Sequence, residues 1–250
     1  MKAVGVIPSR YASTRFPGKP LALIAGKSLL SRVVARVKQA GTLSEVLVAT
    51  DDERIFAEAQ RVGATGVMTR SDHPSGTDRV AEAAAGRGAD IVVNIQGDEP
   101  LIPPALIDRL VRALAEDATL QMATAASPIA DADDLHRSDV VKVVRRADGT
   151  ALYFSRAPIP FRRGAGEGFS PVPGLHLRHI GIYAYRRDFL DKLVATPPCA
   201  LEETEKLEQL RALALGARMA VLETEESGLG VDTPEDVARV EAALRALGEA

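Results

Sequence analysis

Three short apolar runs constrain the fold of this chain: Ala3 to Ile7, Val46 to Ala49, and Ile91 to Val93 continuing to Ile95. Uniformly apolar runs of this length fit strands buried on both faces, as in a parallel sheet. Between them the pattern changes period. Leu29, Leu30, Val33, Val34 and Val37 recur at helical spacing, a face that ends near Gly41. Thr50-Asp51-Asp52 supplies capping side chains for a second helix, Gly66-Val67-Met68 reads as a short strand, and Ser75-Gly76-Thr77 opens a third helix reaching about Gly86. Strand and helix thus alternate through the first hundred residues, which predicts a doubly wound, parallel α/β sheet.

The second half is less regular. Met122 to Ala126, Val140 to Val144 and Leu152 to Phe154 read as strands. Along His179 to Tyr185, alternation places Ile180, Ile182 and Ala184 on one face and His179, Gly181, Tyr183 and Tyr185 on the other. Glycines and prolines between Phe161 and Leu175 predict a mobile surface loop or lid. Glu202 to Leu215 and Pro234 to Leu247 read as late helices, the second with Thr233 as cap and Pro234 at its first position.

The net charge is only −3, with no block of like charges, so nucleic-acid or membrane-surface binding gains no support. No run approaches the ~18 apolar residues of a membrane span. The apolar stretch at the N-terminus is too short for a signal peptide. Cys199 is the only cysteine, so no internal disulfide can form. The expectation is a soluble cytoplasmic protein without membrane insertion.

Chemistry concentrates in four segments. Asn94-Ile95-Gln96-Gly97-Asp98-Glu99-Pro100 ends a buried strand, and ligands bind at that edge of an open α/β sheet. A carboxylate there suits Mg²⁺, which takes one or two carboxylates plus phosphate oxygens. The loop Pro8 to Leu21 carries Arg10, Arg15 and Lys19, which can surround a triphosphate. It is not a Walker loop: Gly26-Lys27-Ser28 imitates the tail of one, but Leu21 stands where its first glycine is required. Arg70 to Arg79 is a second polar loop entering a helix, whose N-terminus at Ser75 and Gly76 can hold a nucleotide group or simply be capped by Ser75. His73 within it reads as a loop residue rather than a ligand. Asp232 precedes the last helix, as a dipole-stabilising charge or as a second carboxylate converging on Asp98; spacing does not decide between these.

The opening loop, Ser75-Gly76-Thr77-Asp78-Arg79, Asn94 to Pro100, Ala151 to Arg156, His179 to Tyr183, Leu207-Glu208-Gln209-Leu210-Arg211 and Gly230 to Asp236 together resemble the 3-deoxy-manno-octulosonate (Kdo) cytidylyltransferases, over nearly the whole chain and in order. That resemblance implies a Rossmann-like fold of the nucleotide-diphospho-sugar transferase type with a smaller inserted sugar-binding and dimerisation lobe. Residues 1–125 would form the nucleotide part, 126–222 the lobe, and 223–250 a return to the core. It implies CMP transfer from CTP to Kdo with Mg²⁺, in a homodimer joined near Ala151 to Pro160. Arg10 and Lys19 would contact the triphosphate. Arg70, Ser75 and Gln96 would face the cytidine side, and Asp98 and Asp232 would hold the metal. Arg156, His179, Tyr183, Glu208 and Gln209 would line the sugar-acid pocket. Glu203, Lys206 and the Phe161 to Leu175 stretch depart from the family pattern. The opening loop alone would also admit a cytidylyltransferase for sialic acid or an amino-Kdo, or a non-catalytic nucleotide-sugar sensor. The Arg156, His179 and Glu208-Gln209 blocks favour Kdo, and keeping both Asp98 and Asp232 favours catalysis.

Overall fold

The structure, a computed structural model, describes residues 1–12, 16–166, 168–225 and 229–249. In chain order its elements are β1 (Ala3–Pro8), β2 (Leu23–Ile24), β3 (Lys27–Ser28), α1 (Leu29–Val37), β4 (Leu43–Thr50), α2 (Glu53–Arg61), β5 (Thr65–Met68), α3 (Gly76–Ala84), β6 (Ile91–Asn94), α4 (Pro104–Glu116), β7 (Met122–Pro128), α5 (Ala132–His136), β8 (Lys142–Arg145), β9 (Ala151–Ser155), β10 (Leu177–Arg186), α6 (Arg187–Val194), α7 (Ala200–Glu205), α8 (Gln209–Ala214), β11 (Met219–Glu223) and α9 (Pro234–Ala246). They fall into two compact units, Met1–Val111 with Gly228–Ala250, and Arg112–Ser227, the boundary lying inside α4.

In the first unit the strands run β6-β1-β4-β5, every neighbouring pair parallel. The α/β class and doubly wound order expected from the sequence are therefore present. The sheet builds outward from β1 in both directions, which puts a topological switch point between β1 and β6. All four residues of β6 and the first five of β1 are buried, which is why Ile91 to Val93 and Ala3 to Ile7 are apolar without alternation. Each buried Val or Ile contributes about 1.5–3 kcal/mol. The predicted stripe of α1, Leu29, Leu30, Val33, Val34 and Val37, is wholly buried. Ser28, Asp52 and Ser75 cap α1, α2 and α3 through their side-chain oxygens.

The last helix returns to this unit. It opens on a capping box between Thr233 and Asp236, with Pro234 in its first turn. Its partner is the β2–β3 hairpin, whose two-residue turn has positive φ at both Ala25 and Gly26. Glu241 accepts the Ala25 N–H at 2.7 Å. Arg32, buried in α1, donates to the carbonyls of Ile24, Ala25 and, at 2.6 Å, Glu249.

In the second unit β11 and β7 are parallel, while β7–β10, β10–β8 and β8–β9 are antiparallel. Three expectations change here. The single helix read over Glu202 to Leu215 is two, because Lys206 takes a left-handed backbone (φ +54°) that ends α7. The alternation along β10 is interrupted by a register shift between Ile180 and Tyr183, and Tyr185 is buried as Ile180, Ile182 and Ala184 are. Within the stretch from Phe161 to Leu175, read as a surface loop, Phe169 is buried with Ile129, Leu135 and Val140 and packs edge-on against His136 and Phe161. The short elements α5, α6 and β11 carry no signal that the sequence reading used.

Candidate active site

The chain leaves the C-terminal ends of β1 and β6 at the switch point. Gly97 follows β6 so closely under β1 that an added Cβ would lie 3.1 Å from the Pro8 carbonyl oxygen and 3.2 Å from Ser9 Oγ. Only glycine fits there without displacement, and Asp98 is thereby placed beside the first loop. That loop is closed by the Gly18 N–H donating to the Tyr11 carbonyl at 2.9 Å, with Gly18 at φ +71°. Pro20 then stiffens the 3₁₀ turn Lys19–Leu21.

The outcome is a cavity of about 470 Å³ whose walls include Arg10, Lys19, Ser75, Gly76, Gln96 and Asp98. Lys19 Nζ lies 2.8 Å from Asp98 Oδ2 and 3.5 Å from Asp232 Oδ1, so the two aspartates do converge. Backbone bonding fixes the second one: the Val231 N–H donates to the Asp98 carbonyl at 2.9 Å, and the Asp232 N–H to Asp236 Oδ2 at 2.9 Å. Two carboxylates held on one ammonium form a donor set that fits a hard divalent cation supplemented by phosphate oxygens. Among the described residues no cluster of three or more His, Cys, Asp or Glu could hold a metal by protein ligands alone.

Arg10 is aimed by the second polar loop, donating from Nη2 to the His73 carbonyl at 2.8 Å. His73 is not presented to a ligand: it is buried, with Nε2 paired to Glu82. Ser75 Oγ is engaged at the helix start, accepting from the N–H groups of Thr77 and Asp78 and donating to Asp78. Arg70 lies outside the cavity wall, two-thirds exposed, at 3.5 Å from Asp72. Arg15 is outside the described residues. Arg79 had no sequence signal beyond its motif. It is fully buried and ties the ends of β5 and β4 through Thr69 Oγ1 (2.8 Å) and Asp51 (3.1 Å).

The sugar-pocket candidates belong to the second unit. Arg156 directs Nε to the Glu205 carbonyl (2.7 Å), Nη1 to that of Ser138 (2.9 Å) and Nη2 to that of Lys206 (3.4 Å). One N–H on each terminal nitrogen then remains to form a carboxylate fork. His179 and Tyr183 meet with ring centroids 5.4 Å apart, and Phe154 packs edge-on against His179 at 4.9 Å. Burial pushes the His179 imidazole down to about 3. Burial first, and then the Glu208 charge, pushes the Tyr183 phenol up. Tyr183 is therefore a neutral donor. Thr124 Oγ1 lies 2.8 Å from the Ile182 carbonyl and 3.0 Å from His179 Nε2. Gln209 is buried with Nε2 unpartnered, and Glu208 sits 3.8 Å from Arg211.

The His179 environment gives a stability test. Its folded value lies below the ordinary 6.5, so between pH 6.5 and about 3 the unfolded chain binds the extra proton, and stability falls as pH falls through that window. The slope from this one group is about 1.4 kcal/mol per pH unit. Urea unfolding at pH 7 and pH 5 should show a larger acid loss for the native chain than for His179→Gln; equal losses reject the assignment.

The fold and this cavity define a nucleotidyl-transfer class, and the chain belongs to the cytidylyltransferase family, whose model matches residues 4–221. The particular relatives are narrower. The 3-deoxy-manno-octulosonate cytidylyltransferase of Pelobacter propionicus is 49% identical over 99% of both chains. That of Bdellovibrio bacteriovorus is 49% identical over 99% of this chain and 100% of its own. A solved structure of CMP:2-keto-3-deoxy-manno-octonic acid synthetase complexed with CTP matches with TM-score 0.92 at 42% identity, over 99% of this chain and 100% of that one. The family resemblance carried by the sequence motifs is met.

Proposed function

We infer that this chain transfers CMP from CTP to the anomeric hydroxyl of Kdo, giving CMP-Kdo and pyrophosphate for lipopolysaccharide assembly. The observation that carries the reading is the meeting of Asp98 and Asp232 at Lys19 beside a cavity that Arg10 and Gln96 also line. The nearly full-length identity to Kdo cytidylyltransferases supports the substrate. The anomeric hydroxyl oxygen attacks the α-phosphorus, the bond from that phosphorus to the α–β bridging oxygen breaks, pyrophosphate leaves with that electron pair, and the hydroxyl proton is released to solvent. No protein nucleophile is needed. Arg10 and Lys19 hold the triphosphate and neutralise charge as it builds. Ser75, Gly76, Gln96 and Arg70 serve the cytidine side, and Arg15 is a further nucleotide-binding residue. Asp98 and Asp232 would hold Mg²⁺, which when bound stabilises phosphate charge and makes the hydroxyl more acidic. Arg156 binds the Kdo carboxylate, while His179, Tyr183, Glu208 and Gln209 read its hydroxyls.

Residues 1–125 with 223–250 form the nucleotide part in this reading, and 126–222 the sugar and dimerisation lobe. We place the protein in the cytoplasm; no helix among the described residues is long and apolar enough to cross a membrane. We propose a homodimer near Ala151 to Pro160. In support, β9 pairs only with β8 among the described strands and exposes Leu152.

The test is a substrate panel read by pyrophosphate release. CTP with Kdo and Mg²⁺ should turn over, while ATP with Kdo, and CTP with sialic acid, should not. Efficient use of ATP or of sialic acid would reassign the substrate, and no release with any acid would leave a sensor.

A further inference from the structure

Arg156 is gripped by its backbone as well as by its side chain. Its N–H donates to Glu205 Oε2 at 2.9 Å, and its Nε donates to the Glu205 carbonyl at 2.7 Å. Its own carbonyl accepts from Lys142 Nζ at 2.6 Å. Lys142 is fully buried and uses all three ammonium protons on carbonyls, the others being Arg137 (2.8 Å) and Val140 (2.5 Å). It anchors the peptide and has no donor left for a ligand. Glu205 is the other jaw. Ser155 Oγ donates to its Oε1 at 2.6 Å, so two successive residues at the end of β9 are held by one carboxylate.

Burial acts to raise the Glu205 carboxyl, but the Arg156 N–H, the Ser155 hydroxyl, the Arg156 charge and the Tyr153 hydroxyl together outweigh it and hold the group below the ordinary range. The left-handed Lys206 ends α7 one residue later and turns its carbonyl toward Nη2. Helix end and arginine are therefore built as one piece.

We propose that Glu205 is a positioning residue that holds the Arg156 guanidinium in the orientation that receives the substrate carboxylate, through the peptide N–H and Nε of Arg156. This rests on the reading of Arg156 as the carboxylate ligand. Glu205 contacts no substrate itself. Its side chain is spent on Ser155, Arg156 and the Tyr153 hydroxyl, and its carbonyl on Nε.

The experiment is a double-mutant cycle of Glu205→Gln and Arg156→Ala, with KM for Kdo, KM for CTP and kcat measured for each, and urea midpoints confirming folding. Glu205→Gln should raise KM for Kdo about tenfold, the effect of losing one charge-assisted hydrogen bond, while KM for CTP stays within about twofold. With Arg156→Ala already present, Glu205→Gln should add nothing to KM for Kdo, because its effect passes through the removed side chain. An additive effect, an unchanged KM for Kdo, or equal changes for both substrates would overturn the proposal. If Arg156→Ala raises KM for Kdo and Glu205→Gln does not, only the positioning role falls. If Arg156→Ala itself leaves KM for Kdo unchanged, the ligand reading falls and takes the positioning role with it. Should Glu205→Gln not fold, Glu205→Asp, which keeps the charge but withdraws it, decides by the same criteria.

Discussion

Asp98→Asn should lower kcat by about a thousandfold while leaving the fold intact. Removing one preorganised electrostatic contact from a transition state costs about 3–4 kcal/mol. Asp98 is asked for more than one such contact, because its charge both holds Lys19 at 2.8 Å and would ligate the cation. The fold tolerates the change because the ion pair is partly exposed, and such pairs contribute about 1 kcal/mol or less. Asp232→Asn should lose less, because Asp232 is more exposed and sits 3.5 Å from the same ammonium. Single-turnover rates with saturating CTP and Mg²⁺, alongside circular dichroism and urea midpoints, measure both. Near-normal turnover in Asp98→Asn would remove it from the metal site.

Arg156→Ala should raise KM for Kdo about a hundredfold and leave KM for CTP nearly unchanged. A two-pronged guanidinium–carboxylate contact is among the strongest single recognition elements available to a side chain, and about 3 kcal/mol converts to that factor. Arg156→Lys should recover little, because an ammonium cannot reproduce the fork or reach the carbonyls of Ser138, Glu205 and Lys206 together. Initial rates over a grid of both substrates separate the two constants. Equal losses for CTP and Kdo would reject the assignment.

Much of the first unit was legible because its signals are local. Ile91 to Val93 is apolar since every residue is buried, the α1 stripe is the buried stripe, and Asp52 and Ser75 cap where the sequence places caps, whereas the Ser28 cap of α1 was not read. The meeting of Asp98 with Asp232 was not legible by spacing. It depends on a backbone bond from Val231 to Asp98, which joins distant parts of the chain, and only the family resemblance anticipated it. The second unit hid more. A left-handed lysine gives no compositional warning of a helix break, so Glu202 to Leu215 read as continuous. The glycines around Phe169 masked the one aromatic that pins the stretch to Ile129, Leu135 and Val140. Lys142 and Glu205 carry no motif either, since a charged residue in a strand or at a helix end reads as solvent-facing until burial is known.

Arg32 has a bearing on how sequence variation in this protein is to be read. It touches no wall of the cavity, yet its guanidinium braces the hairpin that follows Lys19 against the tail that follows α9, the helix that begins beside Asp232. Harmful substitutions are therefore not confined to positions that meet a ligand. A change at this arginine, or at Glu241, would slacken the hairpin and the last helix together, and a survey counting only ligand neighbours would score it as harmless.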